Sequence, residues 1–296
     1  MKTRNFLPVL LAVGIVAACS KDNDGDSDYA DDMVVNIPDA TFNHILLKLY
    51  DKDGDGKIQY GEIKDVETLS LDILYTYPEG TKDDKPVGTG IGSIQGIEYF
   101  SSLKELKFVN GDTKHTLLIP TMDLSKNRKL TTLDCSYAKV SNFKVGNIPL
   151  ETLSCAGNNL RYVSTDFSKL KSLRYLDFSG NGLIHIDLTN NTQLTYLNCA
   201  RNPLSTIDLS KNSKLETLVC DTCALTSLSV ENLSALKELQ CQKNPIRELD
   251  LRNNKSLATL DCSKCPWLGA ILVPGGKDWT IPAGWNWTLP SYTEFK

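Results

Sequence analysis

The chain is predicted to be an α/β repeat protein: a solenoid whose short strands stack into one parallel sheet, closed at its N-terminal end by a short helical cap. Three observations predict it. Eight segments read Leu-x-x-Leu-x-Cys/Phe, starting at Leu103, Leu130, Leu150, Leu173, Leu194, Leu215, Leu236 and Leu257. The last five starts fall 21 residues apart, and a fixed period in this range marks a stacked array. Within a segment the second leucine and the Cys or Phe, such as Leu197 and Cys199, stand two residues apart and so face the same side of a strand. One coil cannot bury that face alone. Stacked coils share a core and pair their strands about 4.8 Å apart.

The first nineteen residues lie outside this pattern. Lys2 and Arg4 are followed by an apolar run from Phe6 to Ala18, which is too short to span a membrane as a helix and has the layout of a secretory signal. Val16-Ala17-Ala18-Cys19 resembles a bacterial lipobox, which implies that residues 1–19 are a lipoprotein signal and that Cys19 carries the lipid. Residues 20–35 begin with Asp22, Asp24, Asp26 and Asp28; with so little to bury, they are expected to be a disordered, solvated tether. An acidic run at this place resembles the surface-export signal of Bacteroidetes lipoproteins. The resemblance implies an outer membrane lipoprotein exposed on the cell surface, touching the membrane through its lipid only.

Residues 36–65 are expected to form the helical cap. Phe42, Ile45, Leu46 and Leu49 recur with helical spacing, and Asn36 or Asp39 suits the start. The run Asp51-Lys-Asp53-Gly-Asp55-Gly56-Lys57-Ile58-Gln59-Tyr-Gly-Glu62 resembles an EF-hand loop at every position that can be compared. That resemblance implies Ca2+ held by Asp51, Asp53, Asp55, the Lys57 backbone carbonyl, Gln59 through a water, and Glu62. A single loop with no paired partner implies a structural ion rather than a sensor. A helix carrying this loop would cover the open apolar end of the stack.

Residues 66–267 hold the repeats, beginning with an irregular unit at Val66-Glu-Thr-Leu69-Ser-Leu71. The clearest unit, Leu194-Thr-Tyr-Leu197-Asn-Cys199-Ala-Arg-Asn202-Pro-Leu204, resembles the leucine-rich repeat, and several units match in register. The resemblance implies a solenoid with its parallel sheet on the concave face. Asn158, Asn181, Asn202 and Asn244 share one register position, where an amide can satisfy backbone groups left over as the strand turns. Residues 268–296 lose the pattern. Trp279, Trp285 and Trp287 with three prolines are expected to pack as a C-terminal cap.

Cys220-Asp-Thr-Cys223 and Cys262-Ser-Lys-Cys265 invite comparison with a zinc site, but their register opposes it. The two pairs lie two coils, about 9.6 Å, apart, whereas zinc thiolates need sulfurs roughly 3.8 Å from one another. Cys135, Cys155, Cys199, Cys220, Cys241 and Cys262 all stand at the third leucine position, so buried free thiols are expected.

A net charge of −4 supplies no basic field for nucleic acid. Function is expected on the concave columns, one running from Glu105 through Tyr175 and Tyr196 to Thr259, the next from Lys107 through Asp177 and Asn198 to Asp261. Those positions are expected to bear no folding duty. The candidate ligand residues are Arg174, Tyr175, Asp177, Tyr196, Asn198 and Arg201, because exposed Tyr and Arg favour recognition. Two insertions, 76–88 and 110–115, are further candidates. His44, His115 and His185 fall in three separate places, away from any nucleophile on that face. The reading is therefore a non-catalytic recognition protein binding a protein or peptide, with a glycan-binding accessory lipoprotein as the alternative.

Overall fold

The computed structural model describes residues 29–71, 90–108, 118–161 and 167–296. Cys19 with the signal, the acidic run to Asp28, the two insertions and His115 lie outside the described residues. Ten three-residue strands form one parallel sheet in chain order. They run from Thr68–Ser70 and Glu105–Lys107 through Tyr175–Asp177 and Tyr196–Asn198 to Thr259–Asp261 and Asn286–Thr288. Pairing is in register throughout: Tyr175 faces Tyr196, Leu176 faces Leu197, and Asp177 faces Asn198. In the repeat strands the central leucine is buried and its two neighbours are half-buried, as alternation on a pleated strand requires. Smaller parallel sheets mark the return side at Thr121–Asp123 with Asn142–Lys144, and at Glu248–Asp250 with Ala270–Leu272 and Glu294–Phe295.

Two asparagine spines run through the stack. On the strand side, Asn202 Nδ2 donates to Phe178 O at 3.1 Å and Cys199 O at 2.9 Å, while its Oδ1 accepts from the N–H groups of Asn181 and Leu183 at 3.1 and 3.0 Å. Asn158, Asn181 and Asn244 repeat the arrangement. The second spine, Asn127, Asn191, Asn212 and Asn254, was not anticipated. Asn212 Nδ2 donates to Leu188 O at 3.1 Å and Asn191 O at 2.9 Å. These buried amides stitch each coil to the one before it.

The N-terminal helix, Ala40–Tyr50, starts at Asp39, whose carboxylate accepts from Phe42 N–H at 2.8 Å. Asp39 also accepts from Gly92 and Ser93 N–H groups, tying the cap to the first coils. Phe42, Ile45 and Leu46 are buried. The tether expected to run to residue 35 gives way earlier: Tyr29 packs edge-on against Tyr60 and Tyr99, Val35 is buried, and Val34 bridges Gln59. Apolar Met33, Val34 and Val35 beside the loop outweigh the acidic composition of the segment as a whole.

At the other end, residues 268–296 add a further coil rather than a detached lid. Trp287 takes the place opposite Leu260, and its indole N–H donates to Leu257 O at 3.1 Å. Trp279 contacts Trp287 and Phe295 at 5.0 and 5.1 Å between centroids. The repeat is lost in the sequence because aromatic bulk replaces leucine on this last rung.

Candidate functional site

Successive strands bring Tyr175 and Tyr196 side by side on the sheet face. Their rings stack with centroids 4.3 Å apart and planes 4° from parallel. Burial raises both phenol pKa values above the ordinary tyrosine value; the Tyr196 phenol and then Asp177 add to the rise at Tyr175, and Asp177 adds to it at Tyr196, where the hydrogen bonds to Tyr175 and Asn198 pull the other way. The hydroxyls therefore stay protonated and available as donors. Asn198 Nδ2 donates to Asp177 Oδ2 at 3.0 Å.

The second column does bear a folding duty, contrary to expectation. Asp134, Asp177, Asn198 and Asp261 each accept, through one oxygen, from the backbone N–H two residues on, at 2.9–3.1 Å. These are Asx-turns that fix the chain's exit from the strand. The second oxygen of Asp177 accepts from the Asn198 amide, and both side chains stay half-buried at the sheet surface.

The two arginines separate from the tyrosine pair. Arg174 precedes its strand and lies 3.8 Å from Glu151. Arg201 lies beyond the opposite edge with φ 56°, lining an open groove of about 550 Å³ with Pro203, Thr222, Ala224, Lys243 and Pro245. Thus Tyr175, Asp177, Tyr196 and Asn198 form one contiguous patch, flanked rather than completed by Arg174 and Arg201.

In the cap loop, Asp51, Asp53 and Asp55 each bring a carboxylate oxygen within 4.8 Å of the others. Gly54 and Gly56 have φ of 74° and 78°, which lets their N–H groups turn inward to Asp51 at 2.8 and 3.0 Å. Glu62 closes the loop, accepting from Lys52 and Gln59 N–H groups at 2.7 and 3.0 Å. The Gln59 amide gives its NH2 to Asp55 at 3.0 Å, and its Oε1 is buried without a partner. Three clustered carboxylates are hard oxygen donors, which fit a calcium ion better than a softer metal. Ile58, buried beneath the loop, lends its carbonyl to Val35 N–H at 2.8 Å.

Six cysteines fill the third leucine position, and all eight described cysteines are free and buried. Cys223 and Cys265 stand where other coils have asparagine. Their thiols donate to Cys199 O and Cys241 O at 3.2 and 3.3 Å, imitating the asparagine amide. Burial pushes the Cys135 and Cys155 thiols well up, which keeps them neutral and unreactive. His44 sits on the cap helix, and His185 lines a shallow groove with Asp187 and Asp208, clear of the sheet-face patch.

Stacked coils of this length, with leucine knobs and asparagine spines, define a leucine-rich repeat solenoid. Among solved structures the chain is similar to the functional domain of InlJ from Listeria monocytogenes, which includes a cysteine ladder. Identity is 28% and the TM-score 0.57, over 73% of this chain and 46% of that one. It is similar in fold to a leucine-rich repeat protein of Leptospira interrogans, at 19% identity and TM-score 0.54, over 69% of this chain and 50% of that one. The chain therefore spans about half the length of these structures. No protein-family model matches it, and no curated protein does.

Proposed function

We propose that this chain is a surface-anchored, non-catalytic recognition protein that binds a protein or peptide partner on its sheet face. The Tyr175–Tyr196 stack carries the reading. Two large amphipathic side chains sit together near the middle of an open ten-stranded face, on a scaffold held rigid by amide spines. Tyrosine offers contact area and a polar tip at low entropic cost, which suits it to dominate an interface. The lipobox-like segment ending at Cys19 and the acidic run after it support attachment to the outer membrane through a lipid and display at the cell surface. Among the described residues no helix is long and apolar enough to cross a membrane.

Calcium has a structural part in this reading. Asp51, Asp53, Asp55, the Lys57 carbonyl, Gln59 through a water, and Glu62 would hold it, and the ion would neutralise the crowded carboxylates. Millimolar calcium is expected to raise the melting temperature of the full chain. Asp51→Asn with Asp55→Asn should abolish both the shift and the heat of binding. No heat and no shift up to about 10 mM calcium, beyond the weak end of such sites, sinks the assignment.

The main test is affinity capture of surface and secreted proteins on the full chain, repeated with Tyr175→Ala and Tyr196→Ala. A directly binding protein should lose affinity by about tenfold or more in either variant. Retention of full affinity by both variants refutes the sheet-face reading. Binding on a glycan array, lost with Tyr175→Ala and unaccompanied by a protein partner, establishes the glycan-binding alternative instead.

A further inference from the structure

Charges are paired differently on the two sides of the sheet edge. Along the leading edge each acid meets a cation from the next coil: Glu67 with Lys104 at 2.6 Å, Glu151 with Arg174 at 3.8 Å, and Glu216 with Lys237 at 2.7 Å. The return side is mixed: Asp123 meets Lys144 of the next coil at 2.8 Å and Asp250 meets Arg252 of its own coil at 2.7 Å, whereas Asp187 and Asp208 accept from Thr189 and Ser210. On the sheet face, among the described residues, only Glu105 has an ion-pair partner, Lys107 of its own strand at 2.6 Å. Asp134, Asp177, Glu238 and Asp261 make no ion pair among the described residues, although Lys107 stands on the rung beside Asp134; they accept from neutral N–H groups of Ser136, Ser179 and Asn198, Gln240, and Ser263.

We infer that the sheet face is built for a cationic partner: an extended polypeptide segment bearing lysine or arginine, laid across the strands over Tyr175 and Tyr196. This rests on the recognition reading above and adds the chemistry of the partner. Asp134 and Asp177 are separated by one rung, that of Ser154, so they stand about 9.6 Å apart. That is too wide for one metal ion, whose oxygen ligands lie at roughly 2.3–2.6 Å. It matches one turn of an extended polyproline II segment, three residues at ~3.1 Å each, which returns every third side chain to the same face. Glu238 and Asp261 lie on adjacent rungs further along and continue the negative track.

The tyrosine stack sits between these acids. Its inner ring faces are used against each other, but the outer face of Tyr175 borders Thr152 and that of Tyr196 borders Thr217. Both neighbours are short, so a guanidinium or ammonium group can lie on either outer face while a carboxylate neutralises it. Asp177 beside both rings places charge and π-face together.

The column also supplies a clean probe. Asn198 makes the same Asx-turn as its aspartate neighbours, so Asp134→Asn and Asp177→Asn remove charge and keep the turn. The experiment measures fluorescence anisotropy of the full chain with three labelled peptides. One carries lysine at every third residue of a Gly-Ser backbone, the second carries glutamate at those places, and the third is the uncharged backbone. The lysine peptide should bind and the other two should not. The double Asp→Asn variant should weaken binding by about tenfold or more, and so should Tyr175→Ala, while Glu216→Gln on the leading edge leaves it unchanged. Raising salt from about 50 to 500 mM should weaken the wild-type complex steeply.

Equal binding of the lysine and glutamate peptides, or undiminished lysine-peptide binding by the double variant, overturns the inference. Equal losses in Glu216→Gln and the double variant also overturn it, because the attraction would then follow overall charge rather than this face. A captured partner that is lost with Tyr175→Ala but indifferent to the double variant would leave the recognition reading standing while ending the cationic one.

Discussion

The two asparagine spines use the same residue in different ways. On the strand side both ends of the amide are engaged: Asn202 donates backward to Phe178 and Cys199 carbonyls and accepts from Asn181 and Leu183 N–H groups. On the return side Asn127, Asn191, Asn212 and Asn254 donate, but their Oδ1 atoms are buried without a partner. The strand-side turn leaves N–H groups that only a side chain can reach. The return-side turn satisfies its own N–H groups locally, as when Leu215 N–H donates to Asn212 O at 3.0 Å. An amide that is needed at both ends tolerates little substitution. One needed only as a donor competes closely with an apolar residue, and Leu233 occupies the return-side position on the coil after Asn212.

The largest effect should come from cutting the doubly engaged spine. Asn202→Ala removes the acceptor for two buried N–H groups and the donor to the Phe178, Cys199 and Ala200 carbonyls, and opens a cavity. Urea unfolding should show a loss of about 3 kcal/mol or more. A loss below about 1 kcal/mol would mean that solvent serves those groups and that the spine is not structural. Asn212→Leu should cost much less, about 1 kcal/mol. Leucine relieves the orphaned Oδ1 at that site and repeats what Leu233 already does. Equal costs for the two substitutions would erase the distinction between the spines.

How much of this was legible depended on whether the signal was local and apolar. The strand register, the tyrosine adjacency and the strand-side asparagines followed from the Leu-x-x-Leu-x-Cys spacing, because a fixed period places every residue once one unit is placed. The convergence of Asp51, Asp53 and Asp55 was legible for a related reason, since they lie within five consecutive residues. The return-side spine was present as Asp-Leu-Ser-Lys-Asn in both Asp123–Asn127 and Asp208–Asn212, but a polar repeat on the turn side carries no amphipathic signal. The Asx-turns of Asp134 and Asp177 were hidden because a bond between a side chain and the backbone two residues on leaves no periodic trace. The placement of Arg201 beyond the strand edge followed from a left-handed residue that spacing alone does not reveal. Packing of Tyr29 to Val35 was masked by the aspartates around them.

The smallest effect reverses the sign. Cys223 stands in the strand-side spine, donating its thiol to Cys199 O. In the neighbouring asparagine coils, Leu183 N–H reaches Asn202 Oδ1 at 3.0 Å and Leu225 N–H reaches Asn244 Oδ1 at 2.9 Å. In the coil served by Cys223, Leu204 N–H instead turns to the nearby carbonyl of Asn202 at 2.7 Å. Cys223→Asn would restore the longer reach of a carboxamide and a stronger acceptor than sulfur. It should add about 0.5–1 kcal/mol of stability, visible as a higher urea midpoint with an unchanged slope. If it destabilised instead, the sulfur would be matched to Cys199 by volume rather than tolerated as a weaker amide. The cysteine positions would then form a packing motif of their own within the ladder.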